Sequence, residues 1–121
     1  MSTDKTALCP SCRTKKHLRE YQRVVEQNER AQAAGLSATL SLKEWLTILE
    51  YFSWTCAYCG GDFDSIEHYL PISRGGETSA KNCLPACHIC NFKKGNRPPE
   101  TLERLFGAER LLSIRTYLAA P

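Results

Sequence analysis

The sequence contains no run of about 18 apolar residues, the length a membrane-spanning helix requires, and residues 1–5 are polar where a signal peptide would carry an apolar core. Both absences predict a protein that stays in the cytoplasm where it is made. There is no internal repeat and no low-complexity tract, and 121 residues do not suffice for two full-sized domains. With 42% apolar and 24% charged residues, the composition excludes a disordered tail and leaves a small soluble domain. Seven cysteines would suggest a disulfide framework in a secreted chain, but without an export signal they read as metal ligands or buried thiols.

Charge is spread unevenly. Residues 1–35 carry seven Lys/Arg against four acids, residues 36–85 three against six, and residues 86–121 six against three. Two basic flanks around an acidic centre suit a protein that grips an anionic polymer, although an ordinary solvated surface has the same look.

Good helix formers dominate residues 17–34, with Leu18, Tyr21 and Val25 at helical spacing and Gly35 placed to end the helix. Ser41 and Glu44 have capping-box spacing ahead of an apolar face made of Leu42, Trp45, Leu46, Leu49 and Phe52, which predicts a core helix. Short strand-like runs lie at 65–69 and 82–86. After Pro98 and Pro99, residues 100–106 and 108–119 read as two helices split at Gly107, with Leu105, Leu111, Leu112, Ile114 and Leu118 packing back onto the Trp45 helix.

Residues 55–95 hold too little apolar mass to fold unaided. Cys56-Ala-Tyr-Cys59 and Cys87-His-Ile-Cys90 supply a remedy: two pairs with two intervening residues each, 27 residues apart. Each pair presents two thiolates to one ion, and together they complete a tetrahedral site that suits zinc, although the spacing also admits iron. Cys9 and Cys12 repeat the spacing with no second pair nearby. Three readings stay open for them: a second, incomplete or dimer-completed metal site, a remnant, or an unliganded pair. Cys83 reads as a small buried hydrophobe.

Between the cysteine pairs stand Glu67-His68, Pro71, Gly75-Gly76 and Asn82, with Asn91 just after Cys90. In order and spacing this run resembles the HNH endonuclease motif, phage type, over roughly residues 56–95. The resemblance implies a small α+β fold whose core is a ββα-metal (HNH, or His-Me) finger with a structural zinc and flanking helices. It implies a nuclease domain over residues 41–121 with the finger at 55–97, and an accessory segment, residues 1–40, with the CxxC and a basic helix. His68 is expected as general base, Asn82 as the residue that fastens the loop, and Glu67 with Asn91 as ligands of one catalytic Mg²⁺ or Mn²⁺. Glu67 stands where Asp is commoner and Asn91 replaces a closing His; a neutral amide oxygen favours hard cations over zinc or nickel.

The chemistry of phosphodiester hydrolysis asks for the same parts, a base near neutrality and a cation on the phosphorane. Strand alternation sends Glu67 and His68 to opposite sides, so they are expected to perform different tasks. Arg74, Lys93, Lys94 and Arg97 are candidate phosphate contacts, Lys94 because it lies three residues beyond Asn91 on one helix face. Tyr58, Tyr69 and Phe92 are expected to pack rather than stack on bases. The implied partner is DNA, with a second copy or a larger phage or host complex where both strands are cut. The competing reading is a zinc-ribbon-like nucleic-acid-binding module with a degenerate site.

Overall fold

The computed structural model describes residues 10–120, with side chains described from Lys15 onward. Helices α1 (Pro10–Ala33) and α2 (Leu42–Tyr51) precede a hairpin of β1 (Ser65–His68) and β2 (Cys83–Ala86). Helices α3 (His88–Lys94), α4 (Leu102–Phe106) and α5 (Ala108–Ala119) follow, with 3-10 turns at Ile72–Arg74 and Pro99–Thr101. This is the expected small α+β arrangement, with a ββα unit at its centre.

The strands pair antiparallel, Ser65 opposite Ala86 and His68 opposite Cys83. Both faces of this small sheet are covered, so β2 is buried at every position and β1 at all but Ser65. That is why the strand shows no alternation of buried and exposed residues.

The predicted capping box opens α2: Ser41 Oγ accepts from the Glu44 backbone N–H at 3.0 Å and Glu44 Oε1 accepts from the Ser41 N–H at 2.9 Å. Trp45, Ile48 and Leu49 of α2 are fully buried, and Leu84, Leu102, Leu111 and Ile114 join the same core. The tail closes on the end of α2 through Tyr51 and Tyr117, whose ring centroids are 4.6 Å apart. Leu112 departs from expectation: it is 66% exposed, on the outer face of α5.

Helix α1 also packs differently from its apolar pattern. Leu18 and Tyr21 are exposed, and the buried stripe is Glu20, Val24 and Ala31 with half-buried Gln27. A carboxylate occupies this core-facing position because its charge is satisfied there. Trp45 Nε1 donates to Glu20 Oε1 at 2.8 Å and Arg23 pairs with Glu20 Oε2 at 2.6 Å. Counting only apolar residues therefore picked the wrong face.

The loop joining the strands is drawn in tightly. A Cβ at Gly76 would sit 1.7 Å from the Leu70 carbonyl oxygen, whereas one at Gly75 would meet nothing within 4 Å. Gly76→Ala is expected to cost about 3 kcal/mol through forced backbone displacement, and Gly75→Ala about 1 kcal/mol, since Gly75 has φ +92°. Urea denaturation of the two variants checks this; equal losses would contradict the close approach at Gly76.

Candidate active site and metal centre

The first cysteine pair sits on the turn after α2, and the second spans the start of α3. Backbone bonds from Ala57 N to Pro85 O (2.8 Å) and from Asp64 N to Ala86 O (3.1 Å) lock the first turn to β2. The Sγ atoms of Cys56, Cys59, Cys87 and Cys90 then lie within 4.8 Å of one another, so the four cysteines are positioned to bind one metal ion. Cys59 and Cys87 are 3.8 Å apart, sulfur to sulfur. Tetrahedral thiolates at about 2.3 Å from an ion have edges of about 3.8 Å, so the geometry fits a zinc-sized ion.

Backbone N–H groups of Gly61 and Cys90 each donate to a sulfur at 3.4 Å, to Cys59 and Cys87 respectively, and at Cys87 the hydrogen bonds from Cys90 and the neighbouring thiols outweigh burial and lower the thiol below its ordinary value. Cys83 is outside the cluster, fully buried in β2, and burial pushes its thiol up to about 12. Cys9 lies outside the described residues and nothing of the Cys12 side chain is described, so their pairing is not part of this geometry.

A cleft of about 310 Å³ runs beside β1, lined by Arg30, Glu67, His68, Ser73, Asn91 and Asn96 among others. Glu67 and His68 both line this cleft but bond to different partners, Glu67 to Tyr58 and Lys94 and His68 to Thr78. His68 Nε2 is 2.8 Å from Thr78 Oγ1. Burial, with the positive charges of Arg30 and Lys94, lowers the His68 pKa to about 4, so the ring is neutral near pH 7.

Glu67 is 4% exposed, and both of its oxygens are bonded. Tyr58 Oη donates to Oε1 at 2.6 Å and Lys94 Nζ lies 2.6 Å from Oε2. Burial raises the Glu67 carboxyl, while the Lys94 charge and the two hydrogen bonds pull it down. The Tyr58 phenol is held well above its ordinary value, chiefly by burial and then by the Glu67 charge, so it remains a donor.

Lys94 is not a surface cation and departs from its expected role as a phosphate contact. It is fully buried, paired with Glu67 and donating to the His68 carbonyl at 3.0 Å. Sharing a face with Asn91 is the reason: that face of α3 is turned onto β1, where Asn91 Nδ2 is 3.5 Å from Ser65 Oγ.

The other proposed phosphate contacts are exposed. Arg74 donates to Asn96 O at 2.5 Å, Arg97 to Lys93 O at 2.7 Å, and the Lys93 ammonium is over the Phe106 ring. Asn82 fastens the loop: its Oδ1 accepts from Leu70 N at 2.8 Å, and its Nδ2 donates to Leu70 O and Glu77 O at 3.0 and 2.8 Å.

Three groups at the site escaped sequence reasoning: Tyr58 as a partner of Glu67, Thr78 as a partner of His68, and Arg30 on the cleft wall. Tyr58 had a signal, since it lies inside the first cysteine pair next to the finger. Thr78 and Arg30 had none.

A match to a known family falls on the same segment. Residues 56–107 match the model of the HNH endonuclease family. The SPbeta prophage-derived protein YoqL of Bacillus subtilis (strain 168), named as an inferred HNH endonuclease, is 28% identical over 91 residues, 62% of this chain. The matched part spans 40% of that relative's length. No solved structure matches the chain. The cysteine cluster, the ββα unit and the family match coincide on one stretch of sequence, so residues 56–107 are similar to the HNH endonuclease family in sequence and in the elements that carry the match.

Proposed function

We propose that the protein is a metal-dependent DNA endonuclease in which His68 is the general base, four cysteines hold a structural zinc, and Glu67 with Asn91 hold one catalytic Mg²⁺ or Mn²⁺. The observation that carries this reading is a neutral His68 on a cleft wall that Glu67 and Asn91 share. Deprotonating water needs an unprotonated imidazole, and low basicity is corrected when substrate binds, because an arriving phosphate anion raises the pKa of a nearby histidine.

Asn82 holds the loop that ends β1 and so keeps the His68 backbone in place. Glu67 and Asn91 reach the cleft from β1 and α3, and a carboxylate that accepts two hydrogen bonds still has lone pairs for a hard cation. That donor set fits the cation, which when bound supplies charge stabilisation to the pentavalent phosphorus and the leaving oxygen. The buried Lys94 ammonium beside Glu67 weakens cation binding there by like-charge repulsion. Arg30, Arg74 and Arg97 are cationic and exposed near the cleft or the end of α3, in keeping with contacts to flanking phosphates that position the duplex.

One such site among the described residues makes nicking the expected outcome for a monomer. The test is a supercoiled plasmid incubated with Mg²⁺, with Mn²⁺ and with EDTA. Wild type is expected to produce nicked circles only with metal, and His68→Ala to lose about 10²–10⁴-fold in rate. Equal cutting by His68→Ala would sink the assignment of the base. DNA binding without cleavage under every metal would instead support a binding module.

A further inference from the structure

We propose that Thr78 is the positioning residue of His68, and that residues 27–40, upstream of the family match, are the scaffold that holds Thr78; the kinetic part of this proposal rests on the nuclease reading above. Thr78 is fully buried. Its hydroxyl donates to the Gln27 carbonyl of α1 at 3.0 Å and lies 2.8 Å from His68 Nε2. A hydroxyl has one proton and a carbonyl oxygen can only accept. With that proton given to Gln27, the contact to His68 is a hydrogen bond only if Nε2 carries its own hydrogen. Nδ1 is then the nitrogen with the free lone pair, and the imidazole is held against rotation.

Thr78 itself has little freedom. Its backbone N–H donates to Ser37 O at 3.0 Å, and its carbonyl accepts from Thr39 N and Leu40 N at 2.8 and 3.1 Å. Asn28 Nδ2 donates to Leu40 O at 2.9 Å, which ties this connector back to α1. Main chain and side chain are thus fixed from two directions, both outside residues 56–107. The finger alone contains the histidine but not the frame that sets its tautomer.

Two measurements on the full chain test this. In the ¹⁵N spectrum of the wild-type histidine ring, His68 is expected as the Nε2–H tautomer. In the plasmid assay, Thr78→Val, which keeps the volume and removes the hydroxyl, is expected to lower kcat about 10–100-fold with KM nearly unchanged, and Thr78→Ser to restore most of it.

An Nδ1–H tautomer in the wild type, or wild-type kcat in Thr78→Val, overturns the proposal. The spectrum needs no variant, so it decides the matter even where Thr78→Val does not fold. A chain that shows the Nε2–H tautomer but cuts nothing under any metal overturns the nuclease reading and upholds the Thr78 contact.

Discussion

Lys94→Met is expected to destabilise the protein by about 3–5 kcal/mol, the usual cost of leaving one member of a buried ion pair uncompensated. Lys94 is 0% exposed and Glu67 4%, so water screens neither. The loss extends beyond the pair, because the ammonium also holds the His68 carbonyl. In Glu67→Gln/Lys94→Met no bare charge is left, and most of the stability is expected to return. Urea midpoints for the two single variants and the double variant measure the coupling. A loss under about 1 kcal/mol for Lys94→Met would mean that the pair is solvated in solution. Repeating the Lys94→Met melt with Mg²⁺ tests the proposed catalytic cation: partial recovery indicates that a divalent ion replaces the ammonium at Glu67, and no recovery removes Glu67 from the proposed ligand set.

Removal of the metal proposed for the four-cysteine cluster is expected to have a still larger effect. Apparent binding free energies for structural zinc are about 10–16 kcal/mol in small peptides, as large as the whole stability of a typical domain, about 5–15 kcal/mol. Cys56 anchors the start of the finger and Cys90 is the residue before Asn91. Cys56→Ser, or exhaustive chelation, is therefore expected to unfold residues 56–95 and abolish cleavage together, while the capped α2 helix keeps part of its signal in circular dichroism. Elemental analysis of the purified protein should give one zinc at this cluster. A metal-free protein with an unchanged melting temperature would defeat the metal-centre reading.

These two predictions draw on features of unequal visibility. The cysteine cluster was legible because a tight turn brings together residues only three apart, so spacing alone specifies each half of the four-cysteine ligand set. The capping box, the strands of the hairpin and the helix break at Gly107 were legible for the same local reason. Lys94 was not. Helical spacing correctly put it on the Asn91 face, but no local rule says whether that face meets solvent or a strand, and α3 turns it onto β1. Glu20 misled in the same way: a carboxylate in a helix reads as solvated until Trp45, 25 residues away, supplies its donor.

The sequence by itself determined the chemistry available to this protein: four thiolates for one ion, an acid beside a histidine, and an asparagine for the loop. The class of the fold followed from the resemblance of residues 56–95 to a known motif, while the individual elements were legible because capping, turn residues and metal spacing act over a few residues. Only the tertiary structure decided what each of these groups is bonded to. Lys94 reaches the His68 carbonyl across 26 residues and Thr78 reaches Gln27 across 51. A buried polar side chain takes whichever partner the packing brings within about 3 Å, and that choice is made by helices and strands far apart in the chain.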